Sequence, residues 1–243
     1  MSTRDDVKRI VTSAILARPR NHQVAIGPSG IGTECDRCLG HMLAGTPRML
    51  TPDWQPYVGV SVHAQLEQIF LEAGLNGRWA TETKVWVGDI DGQEIHGQCD
   101  LLDARLGGET VVDFKTASKT RLKAVKSSGQ PSQRYRVQAH LYGRGWQHNG
   151  VDVKNVAIWY LPRDGGLEQA LWWEEPYDER VALSALARAD AFAKAIRILG
   201  TETFLPTLQR NSDCFDCKRY PAYPTDPPLP TGQAAAFADL IPA

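Results

Sequence analysis

Residues 97–115 read GQCDLLDARLGGETVVDFK, and the reading of this stretch decides the fold. Apolar residues alternate on both sides of Gly107-Gly108, so the segment reads as two antiparallel strands joined by a turn. Side chains two apart on a strand share a face. Asp113 and Lys115 therefore project to one side of the second strand, Val112 and Phe114 to the other, and Asp100 reaches the same site from the first strand. Two carboxylates and an amine converge. Carboxylates are the hard oxygen ligands preferred by Mg²⁺ or Mn²⁺, an ion that polarises a phosphodiester and lowers the pKa of a bound water. The lysine can orient that water or offset developing negative charge. The competing reading, a surface hairpin with solvated charges, stands beside it, because Asp-x-Lys alone is a short motif.

Composition sets the frame. The chain has 243 residues, 42% of them hydrophobic, with a net charge of −1, which is ordinary for one α/β core of a soluble protein. Residues 1–20 carry Asp5, Asp6, Lys8 and Arg9 and no apolar segment of signal-peptide length, and no run elsewhere reaches membrane-spanning length. A cytoplasmic protein with no membrane association is expected. The five cysteines fall as two close pairs and a single, which argues for a metal or cluster site rather than a disulfide framework. The pairs are Cys35-Asp36-Arg37-Cys38 and Cys214-Phe215-Asp216-Cys217. Together they can supply four thiolates to a tetrahedral zinc or to an iron-sulfur cluster, clipping both ends of the core together. Cys99 reads as a buried apolar thiol.

Upstream of the hairpin, residues 3–19 place Val7, Ile10, Val11, Ala14 and Ile15 at helical spacing, with packing on the core as the expectation. Residues 47–56 read as a Pro-rich connection. Residues 58–73 read as a second helix with Val62, Leu66, Ile69 and Phe70 as its apolar stripe and His63 and Glu67 on one face. A strand over Thr81–Ile90 follows, with Glu82 near its start. Downstream, residues 114–149 contain no Asp or Glu, while Lys115, Lys119, Arg121, Lys123, Lys126, Arg134, Arg136 and Arg144 supply eight positive charges. Such a surface binds phosphate backbones, and this one abuts the proposed metal site. Pro131 suits the first turn of a helix that carries Gln138 and Tyr142 at i and i+4. Strands at 155–161 and 170–173 flank the Gly165-Gly166 turn, with Trp172 and Trp173 facing opposite ways, and a long helix over Asp178–Leu199 leads back to the second cysteine pair. Residues 221–243 read as a Pro-rich tail in which Phe237 to Ile241 could dock on the protein's own surface or on a protein partner.

In order, these motifs resemble the PD-(D/E)XK nuclease superfamily, in particular its RecB-like branch, which includes CRISPR-associated exonucleases. The helical histidine of that branch is matched by His63 in GVSVHAQLE, its Gly-x-x-Asp strand by Gly97 and Asp100, its Asp/Glu-x-Lys by Asp113 and Lys115, and its Gln-x-x-x-Tyr by Gln138 and Tyr142. The resemblance implies a restriction-endonuclease-like α/β core, about 58–200, within a single nuclease domain at 1–220. It implies a metal-dependent deoxyribonuclease, an exonuclease on single-stranded or frayed DNA serving recombination, repair or processing. His63, Asp100 and Asp113, with the Phe114 carbonyl, would hold Mg²⁺ or Mn²⁺, Lys115 would position the attacking water, and Gln138 and Tyr142 would contact DNA or support the lysine. Lys119, Arg121, Lys123, Lys126, Arg134 and Arg136 would guide the strand. Glu82 stands where many relatives carry an acidic residue. Cys35-x-Arg37 is similar to the start of the iron-sulfur staple of that branch, in which one cysteine precedes the core and three follow. Here two precede and two follow; the resemblance favours a 4Fe-4S cluster, with Zn²⁺ as the alternative. A non-cleaving DNA-binding or recombination accessory module of the same fold is the rival reading.

Overall fold

The computed structural model describes residues 2–18, 25–73, 77–211 and 214–223. The apolar patch of the tail, Phe237 to Ile241, lies outside the described residues. Four helices lead in: α1 (Thr3–Leu16), α2 (Pro28–Ile31), α3 (Asp36–Leu43) and α4 (Trp54–Ala73). A meander β1 (Trp79–Ile90), β2 (Gln93–Asp103) and β3 (Thr110–Ala117) follows, then α5 (Lys119–Ser128) and α6 (Gln133–His148). The chain closes with β4 (Asn155–Pro162), β5 (Leu171–Pro176), α7 (Glu179–Leu199) and α8 (Thr201–Phe204).

The strands form one mixed sheet in the spatial order β1-β2-β3-β4-β5. Only β3 and β4 run parallel. A parallel pair needs a crossover, and α5 with α6 supplies it, which lays α6 across one face of the sheet. Val137, Ala139 and Leu141 of α6 are buried there with Val85, Val87, Val111, Val156 and Ile158 from three strands, and Ala182 and Leu186 of α7 complete that layer. The opposite face buries Leu101, Val112, Phe114, Ala157 and Leu161 under Val62, Leu66 and Phe70 of α4. Both faces of the central strands are thus covered, which is why β3 and β4 read as nearly continuous apolar runs.

Several expectations shift. The α4 helix starts at Trp54, inside the expected connection, because Pro56 lies in its first turn, where the missing N–H costs nothing. Ile69 of the expected stripe is exposed. Pro131 precedes the N-cap Ser132 of α6 and is not in the helix. The α1 helix forms, yet Val7, Ile10 and Val11 are exposed and only Ile15 is buried, so its apolar pattern does not pack on the core. The polar segment after β3 is a helix, α5, capped by Ser118 at one end and by the left-handed Gly129 at the other. Among the described residues no helix is long and apolar enough to cross a membrane.

One glycine controls how closely α6 approaches the sheet. A Cβ on Gly145 would lie 2.6 Å from Val85 Cγ2 and 2.8 Å from the Trp86 carbonyl oxygen, and the backbone atom cannot move aside. Gly145→Ala is expected to lower unfolding stability by about 1 to 3 kcal/mol, read as a shift in the denaturant midpoint at unchanged slope.

Candidate active site

The site is built where two strands part. β2 pairs with β3 only over Leu101–Asp103, and at Asp100 the ladder ends. Asp100 Oδ2 instead accepts the Phe114 N–H at 2.7 Å, so a side-chain carboxylate takes the place of the next backbone acceptor and is fixed at the fork. On β3 the strand period carries Asp113 and Lys115 to the same side, where they form a buried ion pair. Asp113 is fully buried and its Oδ1 has no hydrogen-bond partner. From α4, His63 brings Nδ1 to 3.4 Å from Asp100 Oδ1, with its ring edge-on to Phe114.

Glu82 completes the group. Pairing between β1 and β2 skips from Thr81↔Leu101 to Thr83↔Cys99, and Glu82, at the skipped position, has φ 43°. A left-handed backbone is costly for a residue with a Cβ and recurs at functional positions. It leaves ligand atoms of His63, Glu82 and Asp100 all within 4.8 Å of one another. On α6, Gln138 Nε2 donates to the Tyr142 hydroxyl at 3.1 Å. Tyr142 reaches the sheet because Gly97 leaves it room: a Cβ there would lie 2.7 Å from the tyrosine ring and 2.4 Å from Pro28. The glycine of one motif thus seats the tyrosine of another. Sequence reading missed Tyr135, whose ring lies 5.0 Å from Lys115 Nζ. The signal was available, since Tyr135, Gln138 and Tyr142 follow the i, i+3, i+7 spacing of one helix face.

Burial and charge oppose one another throughout the site. Burial pushes Asp113 up to about 6 against the pull of Lys115. Burial and then the Asp100 charge push Glu82 up to about 7. Burial also acts on Asp100, but the His63 hydrogen bond and the Lys115 charge outweigh it and hold this carboxyl below its ordinary range. His63 and Lys115 are both raised, because their acidic neighbours outweigh the desolvation that would lower them. The donors are carboxylate oxygens and one imidazole, with an unsatisfied buried oxygen on Asp113, and this set fits a hard divalent cation.

A family model described as the PD-(D/E)XK nuclease superfamily matches residues 61–221, the span that contains every one of these groups. The chain belongs to that superfamily. Among solved structures it is similar to the alkaline exonuclease LHK-Exo from Laribacter hongkongensis, at 10% identity and a TM-score of 0.51, over 80% of this chain and 94% of that one. The same exonuclease in complex with dAMP aligns at 12% identity and the same TM-score, over the same shares of the two chains. A likeness at such identity concerns the fold. No characterised protein matches the chain by sequence.

The basic run of this PD-(D/E)XK protein divides in two. Lys119, Arg121, Lys123 and Lys126 are exposed on α5, and the three lysines share one face. Arg134 and Arg136 are instead half-buried and committed to partners within the protein. Arg134 donates to the Ser29 carbonyl at 2.7 Å and to Asp216 at 3.0 Å, and Arg136 to Glu175 at 2.6 Å. Glu175 also accepts from His140 Nε2, whose other ring nitrogen accepts the Asp178 N–H. A count of local charge could not see acidic partners so distant in sequence.

The four cysteines of the two pairs meet, as expected. Cys35 Sγ lies 3.2 Å from Cys217 Sγ, and Cys38 Sγ lies 3.2 Å from Cys217 and 3.4 Å from Cys214, and none of the four is in a disulfide. Hydrogen bonding from Cys217 brings Cys214 down to about 7. Cys99 stands apart, buried in the core.

A metal-free stability test follows from Glu82. Its folded-state pKa of about 7 exceeds the ordinary 4.5, so the folded form holds this proton more tightly, and its contribution is full at low pH and lost as pH rises through 7. Thermal unfolding in EDTA should show Glu82→Gln more stable than the wild type at pH 8, with a smaller gain at pH 5. Equal gains at both would contradict the raised pKa.

Proposed function

We propose that this chain is a divalent-metal-dependent deoxyribonuclease of the RecB-like branch, acting as an exonuclease on single-stranded or frayed DNA. The observation that carries the reading is the fork at Asp100, where a buried carboxylate, a second buried carboxylate with an unpaired oxygen, a lysine and an imidazole converge. A purely binding module needs no such group. The similarity in fold to an alkaline exonuclease, one form of which is in complex with dAMP, supports the exonuclease and DNA assignments. The family match over 61–221 and the joining of both cysteine pairs support one nuclease domain at 1–220.

His63, Asp100 and Asp113 are the residues that would hold the ion, and Glu82 joins them. Mg²⁺ or Mn²⁺ bound there would lower the pKa of a water and offset charge on the phosphoryl oxygens. Lys115 keeps its proton beside Asp113 and Asp100, and its ammonium orients the attacking water in line with the phosphorus. Tyr135 faces the lysine, and the Gln138–Tyr142 pair lies on the same face of α6. The α5 lysines lie just beyond Lys115 in the chain and would hold the phosphates of the incoming strand.

The test uses 5′- and 3′-labelled single-stranded and duplex DNA in Mg²⁺, Mn²⁺ or EDTA, beside Lys115→Ala. Cleavage should require the metal and fall about 100-fold or more in the variant, with DNA binding retained. Cleavage that survives EDTA would sink the reading, and binding without cleavage under any metal would favour the accessory module. Replacing Lys119 and Lys123 together by Ala should weaken binding to single strands of every sequence. It should also flatten the slope of log affinity against log salt by about 1.4, from about 0.7 per phosphate contact.

A further inference from the structure

The two Cys-x-x-Cys units adopt the same local conformation. Cys35 precedes α3 with φ −87° and ψ 110°, and Cys214 precedes a 3₁₀ turn over Phe215–Arg219 with φ −73° and ψ 109°. Each unit therefore presents a sulfur ahead of a helical turn and a second sulfur within it, and the two units bring four sulfurs to one point. Every Sγ lies within 4.8 Å of every other, and the closest pairs are at 3.2 Å. A tetrahedron with edges from 3.2 to 4.8 Å has its centre about 2.0 to 2.9 Å from each corner, and the Zn–S bond of about 2.3 Å falls inside that interval.

A 4Fe-4S cluster asks for something else. Each thiolate binds a different iron, and four irons and four sulfides fill the space between the ligands, so the sulfurs must stand off from the centre by more than one metal–sulfur bond. Sulfurs this close enclose room for one atom. The cluster implied by the resemblance does not fit this arrangement.

We propose that Cys35, Cys38, Cys214 and Cys217 bind a single Zn²⁺ in a closed tetrahedral tetrathiolate site, with a structural role. The surroundings agree. Both aspartates within the pairs are engaged elsewhere, Asp36 with Arg188 at 2.6 Å and Asp216 with Arg134 at 3.0 Å, which leaves an all-sulfur donor set of the kind zinc takes. The first unit is pinned to the segment before the second by Arg37, which donates to the Leu208 and Pro206 carbonyls. The second is pinned to the entry of α4, where Arg219 meets Asp53 and Thr51, each at 2.7 Å. The His41 ring stacks on Tyr220 with centroids 4.6 Å apart. A metal at this point would tie the α3 end of the chain to the segment that follows α8.

The full chain, purified without oxygen from iron-replete cells, should carry about one zinc per molecule, no acid-labile sulfide and no visible absorption. Exchange with Co²⁺ should produce the intense visible bands of a tetrahedral cobalt thiolate. Cys38→Ser should lose the metal, while Cys99→Ser, which alters the cysteine outside the set, should keep it. If Cys38→Ser fails to fold, the metal content and cobalt spectrum of the wild type still decide. A brown protein with about four irons and as much labile sulfide, a weak octahedral cobalt spectrum, or a chain that takes up neither ion would overturn the proposal. These measurements use no DNA, so they stand apart from the nuclease reading.

Discussion

The hydrogen bond from the Phe114 N–H to the Asp100 carboxylate is the constraint on which the site rests. A strand pair that ends inside a domain leaves backbone donors and acceptors that must find partners. Here the first orphaned donor is met by a side chain rather than by a carbonyl. The carboxylate therefore cannot rotate away without leaving a buried N–H unsatisfied, at a cost of about 1 to 3 kcal/mol. That penalty keeps Asp100 aimed at the fork. Every other group is measured from it: His63 through its ring nitrogen, Glu82 across the gap in the β1 ladder, and Asp113 as the buried neighbour whose pKa it helps to raise.

Placing so much charge in the interior opposes folding. Asp113 is wholly buried and Lys115 nearly so, and a buried ion pair recovers its desolvation cost only with good geometry and further hydrogen bonds. Asp113 lacks the further bonds. The rest of the fold offsets the strain with ordinary means, the apolar layer beneath α6 on one face and beneath α4 on the other. Perturbed groups gathered in this way mark sites that serve chemistry rather than stability.

Much of this was legible in the sequence because strand periodicity is strict. The alternation around Gly107-Gly108 placed Asp113 and Lys115 on one side, and the structure keeps them there. Glu82 was harder to place, since its participation depends on a left-handed residue inside a strand, a feature that a period of two cannot signal. The α5 helix escaped notice because only Leu122 and Val125 bury an apolar face, although Ser118 and Gly129 mark its ends. The pattern in α1 states that one face is apolar and leaves open what covers it. Arg134 and Arg136 looked like surface charges until the fold brought Asp216 and Glu175 to them.

The joining of Arg219 to Asp53 spans 166 residues, and Cys35 meets Cys217 across 182. Contacts of that separation close long loops, which costs more chain entropy than a local contact does and slows folding. During synthesis α4, with His63, emerges well before Arg219, and the contact of that arginine with Asp53 at the helix entry can form only after Arg219 has been made. A product cut before Cys214 would therefore carry every motif of the site, His63 to Tyr142, without the contacts that join these regions.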